Sequence, residues 1–218
     1  MKKYELTTET LQFAGRTLHR IKAVKDFDSI KAGEFGGWIE NEKNLSQDDN
    51  AWIYGNAMVF DNAMVFDNAM VFDNAEVYGN AKVYGNANVS DYAEVYGNAE
   101  VYGNAEVYDY AKVYGNAEVY GNANISYYAK VYGNAVIKGD AIVHDAVDYI
   151  VFKNFWSSGR YFTWTSSNNK WSVGCFYGTG EELIKKAYAD SEKSGREYER
   201  VVRYVESILA DEKKEKSN

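Results

Sequence analysis

The chain has 218 residues, no proline, one cysteine and 20 tyrosines, and a net charge of −8. It contains no apolar run long enough to span a membrane, and a lone Cys175 excludes an internal disulfide and fits a reducing compartment. The charge is concentrated: residues 50–145 carry 4 Lys against 12 Asp and Glu, which is the whole imbalance. Such a body repels nucleic acid and anionic membrane and attracts basic surfaces.

The opening "MKKYELTTET" has a basic start but no apolar core, so no signal peptide is expected there. "YELTTETLQFAGRTLHRIKAV" predicts two strands around a turn at Ala14–Gly15, and residues 1–38 are assigned to a β cap.

From Ile53 to Val143 an aliphatic residue recurs every six positions, sixteen times, with Ala two residues before each. Ile39 and Leu45 are two earlier, degraded units, so the tract spans 39–145. The unit A-x-V-Y alternates like a short strand of about four residues, with Ala and Val on one face. The Gly-Asn or Asp-Asn pair that follows tolerates positive φ and makes a corner. Repetition coils such a chain into a parallel β-solenoid.

Exceptions to the repeat set the number of sides. Tyr replaces the corner Asn at Tyr92, Tyr110 and Tyr128, eighteen residues apart each time. Ser replaces the aromatic at Ser90 and Ser126. Residue i therefore stacks on i+18, and the coil is a triangle of three hexads. Six coils at about 4.8 Å make a prism about 30 Å long.

Two outer faces then carry aromatic ladders, Phe60–Tyr78–Tyr96–Tyr114–Tyr132 and Phe66–Tyr84–Tyr102–Tyr120. The third face runs Tyr54, Phe72, Ser90, Tyr108, Ser126, with the Tyr92–Tyr110–Tyr128 stack at its corner.

The stretch "MVFDNAMVFDNAMVFDNA", residues 58–75, is one whole coil. It puts Met58, Met64 and Met70 one per face, likewise Phe60, Phe66 and Phe72, and Asp61, Asp67 and Asp73 at the three corners. The expectation is a ring of outward Met and Phe rimmed by carboxylates, covered either by the N-terminal segment or by a partner.

After His144 the period breaks. "DYIVFKNFW", "RYFTWTS" and "KWSVGCF" predict three antiparallel strands with turns at 157–159 and 167–169. A helix opens at Thr179 with Glu182 as its capping-box partner and is expected to stop at Gly195. A second helix is expected to place Val201, Tyr204, Val205, Ile208 and Leu209 on one side. Residues 146–210 thus form a small module of one antiparallel sheet and two helices, and 211–218 a charged, frayed tail.

The unit, an aliphatic residue followed four later by a small one as in Val59…Ala63, resembles the hexapeptide-repeat left-handed parallel β-helix proteins. The resemblance covers about residues 39–145 and implies a three-sided, left-handed, mainly β fold. The usual unit lacks the Tyr or Phe after the aliphatic residue. The segment leading into the repeats resembles caps of phage- and prophage-encoded members, some labelled transferases. "VGCFYGTGEEL" resembles a small module found behind repeats in phage proteins.

Acyl transfer is well known on this fold and uses a His as general base in a cleft between subunits. Only His19, in the cap, and His144, at the last coil, are present. A zinc site needs three His on neighbouring coils, so neither metal nor cofactor is expected. Cys175 has no His nearby in sequence and reads as a buried strand residue. Glu100 and Glu118 read as a solvated stripe.

The leading functional expectation is a non-enzymatic, phage-derived interaction protein. It docks on and blocks a basic host protein in a bacterial cytoplasm, such as a CRISPR-type defence nuclease, without direct contact to nucleic acid or membrane. Its partner-binding residues are the stutter ring and Tyr92, Tyr110 and Tyr128. A homo-oligomer, trimer or dimer, is expected. The alternatives are a protein sequestering a small ligand or signalling nucleotide at subunit grooves, a degenerate acyltransferase, and a virion or purely structural component.

Overall fold

The computed structural model describes residues 2–156 and 159–215. The chain divides into two compact units, Met1–Tyr149 and Ile150–Asn218.

The first unit opens with a hairpin, β1 (Tyr4–Phe13) against β2 (Arg16–Ala23). Its two turn residues, Ala14 and Gly15, both take positive φ, as a two-residue hairpin with right-handed strand twist requires. β3 (Phe35–Ile39) pairs antiparallel with β2 and parallel with the strand at Met58–Val59. It thereby joins the cap to the solenoid.

Sixteen two-residue strands follow at six-residue intervals, β4 (Trp52–Ile53) to β19 (Ile142–Val143). Each is shorter than the four residues expected, because the flanking Ala and Tyr already belong to the corners. Every third strand pairs in parallel: Val59, Val77, Val95, Val113 and Val131 lie in register, eighteen residues apart. Three sheets result, one per side. Ile39 pairs with Val59 and Leu45 with Val65, twenty residues on rather than eighteen. The first coil thus holds two extra residues between Leu45 and Ile53.

The prism interior is dry and uniform. The inward Ala and aliphatic residues of every repeat are 0–1% exposed. Each buried Val contributes about 1.5–3 kcal/mol relative to exposure. Between coils the N–H of one donates to the carbonyl seventeen residues on, as in Met58 to Ala75 at 2.9 Å and Tyr96 to Val113 at 3.0 Å.

The corners follow the residue type. Asp61, Asp67, Asp73, Asp91 and Asp109 sit at φ 58–60°, whereas the corner glycines from Gly79 to Gly139 sit at 70–79°. A Cβ on Gly121 would lie 2.8 Å from Gly139 N and 3.0 Å from its O. Gly121→Asp is therefore expected to cost about 2 kcal/mol or more, from left-handed strain and backbone crowding. Gly55 already has φ 60° and a corresponding gap of 3.3 Å to Asp73 O, so Gly55→Asp should stay within about 1 kcal/mol of wild type. Paired denaturant melts compare the two; equal losses would contradict this account of the corners.

The asparagine after each corner forms an amide ladder. Nδ2 donates to Oδ1 of the next coil along Asn50–Asn68–Asn86–Asn104–Asn122 and along Asn62–Asn80–Asn98–Asn116, at 2.9–3.2 Å. On the third corner the ladder holds only Asn56 and Asn74 before Tyr92 takes over.

The top coil has carbonyls with no coil above them. Lys3, 1% exposed, donates its Nζ to Asp49 O (2.9 Å) and Ala51 O (2.7 Å). Tyr4 donates its hydroxyl to Glu42 O and Leu45 O, and Asn44 donates Nδ2 to Asp61 O and Ala63 O. The cap thus replaces the missing backbone donors with side chains, as a buried sheet edge demands.

In the second unit four strands form one sheet: β20 (Tyr149–Lys153), β21 (Tyr161–Thr165), β22 (Lys170–Val173) and β23 (Phe176–Gly178). The third expected strand is split in two by the turn at Gly174–Cys175, where Gly174 takes φ 56°. Cys175 is therefore exposed in a turn, not buried in a strand. Of the expected turn at 157–159, Ser157 and Ser158 lie outside the described residues.

Thr179 caps α1 (Gly180–Asp190) with the expected reciprocal bond to Glu182. The helix ends at Ser191, not Gly195: Ser191 is extended (φ −171°) and its Oγ accepts from Ser194 N, capping α2 (Glu192–Glu215). Gly195 lies inside α2. The buried stripe of α2 centres on Val202 and Val205, and Tyr204 is exposed. These pack with Phe162, Trp164, Trp171, Val173, Leu183 and Ile184. Helix α2 continues through 211–215, the stretch expected as tail; 216–218 lie outside the described residues.

Candidate functional site

Three identical hexads form the stutter coil, and the fold gives them three different lids. On the first face Phe60 is 3% exposed, which corrects the expectation of a uniformly outward ring. Phe13 of the hairpin meets Phe60 edge-on at 5.7 Å, and the Arg16 guanidinium lies over its ring at 5.2 Å. On the third face Tyr54 of the preceding coil stacks on Phe72 at 4.7 Å, and its hydroxyl meets Met70 Sδ at 3.9 Å. On the second face the register position above Phe66 belongs to Ser46, so no ring covers it. Met64 stays 42% exposed there.

The corner carboxylates hold backbone. Asp61 Oδ2 accepts from Gly79 N and Asp67 Oδ2 from Gly85 N. Lower along the third corner, Asp91 accepts from Asp109 N, and Asp109 from Tyr127 N. These aspartates thus bridge successive coils where the corner N–H has no ladder partner, and only their remaining oxygens face outward. Nothing in the sequence pattern besides the eighteen-residue spacing signals this role.

Below the stutter the ladders are continuous, with ring centroids 4.5–5.3 Å apart and planes within 12°. Their hydroxyls reach sideways: Tyr78 donates to Glu94, Tyr84 to Glu100 and Tyr102 to Glu118, at 3.0–3.3 Å. Burial, then the neighbouring carboxylate, pushes Tyr78 and Tyr102 well above the usual phenol range. Burial and the bond to Glu100 push Tyr84 up to about 12. Lys82 pairs with Glu100 and holds its carboxyl below the usual range; Lys112 pairs with Glu94. Glu100 is thus tied into a network rather than solvated alone, while Glu118 stacks on it in register.

Tyr92, Tyr110 and Tyr128 stack 5.1 Å apart along the third corner, at 53%, 48% and 72% exposure. They are the most open part of the aromatic surface that the sequence picked out. Tyr127, also exposed, meets the His144 ring edge-on at 4.8 Å. His19 lies in the hairpin, its Nδ1 3.4 Å from Thr7 O. His19 in the hairpin and His144 at the last coil lie at different places in the first unit, and Cys175 belongs to the second. Ser126, one coil from His144 in the same column, is fully buried and its Oγ has no hydrogen-bond partner among the described residues.

A family model described as the YdcK β-solenoid repeat matches residues 51–66 and 129–145, near the two ends of the tract. The chain is a repeat-built parallel β-solenoid protein. Among curated proteins it is similar to one from Escherichia coli (strain K12) described as "Uncharacterized acetyltransferase YdcK", 39% identical over 62 residues. That stretch is 25% of this chain and 19% of the relative, so the chain spans about a fifth of the relative's length. No helix among the described residues of the solenoid protein is long and apolar enough to cross a membrane.

Proposed function

We propose that the solenoid is a non-enzymatic docking scaffold for a protein with a basic surface. The observation that carries this reading is the exposed row Tyr92–Tyr110–Tyr128, held rigid by stacking on a body that carries the whole net charge of −8. Tyrosine supplies contact area with little entropy to lose, and the acidic surround steers a basic partner and sets its on-rate. In its concrete form the partner is a bacterial host protein whose basic, nucleic-acid-binding channel is blocked by the prism. The resemblance of the cap to phage-encoded proteins supports that form, with a defence nuclease as the example.

The test compares the wild-type chain with Tyr92→Ala/Tyr110→Ala/Tyr128→Ala as bait in a bacterial lysate, read by quantitative mass spectrometry and then by affinity for the captured protein. The triple variant is expected to bind about thirtyfold more weakly, the hot-spot range of about 2 kcal/mol. Equal capture by both baits would remove the row from the interface.

The relative's description supports a second reading, acyl transfer with the exposed His144 as general base. An acetyl-CoA turnover assay decides it: turnover by the wild type that His144→Ala abolishes would displace the docking reading.

A further inference from the structure

We propose that the open end of the second aromatic ladder, at Phe66 and Asp67, is a receptor for an arginine side chain of the docked partner. This names the partner chemistry of the docking reading above and rests on it. The template is inside the molecule. At the first corner Arg16 lies over Phe60 at 5.2 Å, donates Nε to Asp61 Oδ1 at 2.7 Å, and pairs through a second guanidinium nitrogen at 2.5 Å. The other oxygen of Asp61 accepts from Gly79 N, and Glu40 Oε2 accepts from Asp61 N at 2.7 Å.

The second corner repeats every part of this clamp except the arginine. Phe66 stacks on Tyr84 at 4.8 Å, as Phe60 stacks on Tyr78. Asp67 Oδ2 accepts from Gly85 N, and Asp49 Oδ2 accepts from Asp67 N at 2.7 Å, in the role of Glu40. Among the described residues no hydrogen-bond donor or cation lies on Oδ1 of Asp67, the counterpart of the oxygen that Arg16 holds. Above Phe66 lies an open groove of about 490 Å³ whose lining includes Glu42, Lys43, Ser46, Asp48, Met64 and Phe66. Lys3 pairs with Asp49 and Lys43 donates to Asn62, so neither is directed to Asp67.

The hexad sequence is the same at both corners, so the same ring, carboxylate and backbone geometry should select the same cation. A guanidinium can stack flat on Phe66 while its edge meets Asp67; a lysine ammonium satisfies the charge but not the stack. The exposed Met64 beside the groove fits an aromatic or aliphatic neighbour of that arginine, as Phe13 neighbours Arg16 on the first face.

The probe is a peptide copying residues 11–18 of the hairpin, LQFAGRTL, titrated into the full chain carrying isotope-labelled methionine methyl groups. The Met64 methyl resonance is expected to shift saturably while Met58 and Met70 stay put. Asp67→Asn should weaken binding at least about tenfold, since the charge behind two guanidinium contacts to one carboxylate oxygen is lost, and so should the peptide with lysine in place of arginine. Glu106→Gln, on another face, should leave binding unchanged. An unmoved Met64, or equal affinity for the arginine and lysine peptides, or for wild type and Asp67→Asn, overturns the proposal. So does a dimer that light scattering shows to dissociate in Asp67→Asn, because the slot would then belong to a second copy of this chain. The docking reading is judged separately by the tyrosine-row variant, so either can fail alone.

Discussion

Replacing Gly37 with valine is expected to cost the solenoid unit at least about 3 kcal/mol and to erase its cooperative melt by circular dichroism. Gly37 occupies, in β3, the register position that Ala57 occupies one coil later, since Trp38 pairs with Met58 and Ile39 with Val59. Even a bare Cβ there would lie 2.5 Å from Ala57 O and 2.6 Å from Ile53 Cγ2. The crowding has a local cause. In this coil the repeat's valine is isoleucine at both Ile39 and Ile53, each fully buried, so the methyl group that alanine supplies elsewhere has no room. Overpacking of a well-filled core costs about 1–3 kcal/mol per added group, and a β-branched residue adds three carbons against backbone that pairs two coils. Gly37→Ala should lose about 1–3 kcal/mol, and Ile53→Val should recover part of that loss, the coupling expected of residues in contact. A Gly37→Val chain that melts like wild type would show that β3 is not clamped between coils.

The solenoid was legible because its order is local and repeated. The six-residue period fixes which side chains enter the prism, and the tyrosine substitutions at positions 92, 110 and 128 fix the eighteen-residue coil. Each inward residue meets its own counterpart one coil away, so one unit predicts all the others. What the sequence hid lies where the repeat ends. Lys3 is buried because the top coil lacks donors above Asp49 O and Ala51 O, a need visible only once the coil is closed. Arg16 covers Phe60 because the hairpin folds back over one face; three identical hexads give no hint of which face that is. The asparagine ladders were visible at spacing 18 and read only as turn chemistry. Cys175 and the end of the first helix, expected at Gly195 and found at Ser191, were misplaced for a different reason. Each sits at a break of one or two residues, where a single positive φ or a single cap outweighs the apolar pattern around it.

The same cap and ladders make stability depend on alkaline pH in two opposed ways, and the second dominates. Burial lowers the Lys3 ammonium to about 8 in the folded chain, against about 10.4 for a free lysine. Between those values the unfolded chain binds one more proton, so stability rises with pH across that window. The tyrosines act with the other sign. Burial raises Tyr4, with Glu42 adding to it, and raises Tyr149 to about 12; Tyr78, Tyr84 and Tyr102 are raised as well. A phenol raised in the folded state contributes stability that is intact below about pH 10, the unfolded value, and is lost as pH climbs towards the folded value. Tyr4 and Tyr149, both buried, each contribute a loss of about 1.4 kcal/mol per pH unit above 10. The half-exposed ladder tyrosines add to this by smaller amounts, since solvent screens them. Chemical melts are therefore expected to show a shallow maximum near pH 10, then collapse within about two pH units. Phenolate absorbance should rise in one step with the loss of β circular dichroism, because the rings ionise when the stack opens. Lys3→Met should remove the rise below the maximum and keep the collapse. Gradual ionisation near pH 10 with the circular dichroism intact would mean that the ladders are solvated edge to edge and do not shield their hydroxyls.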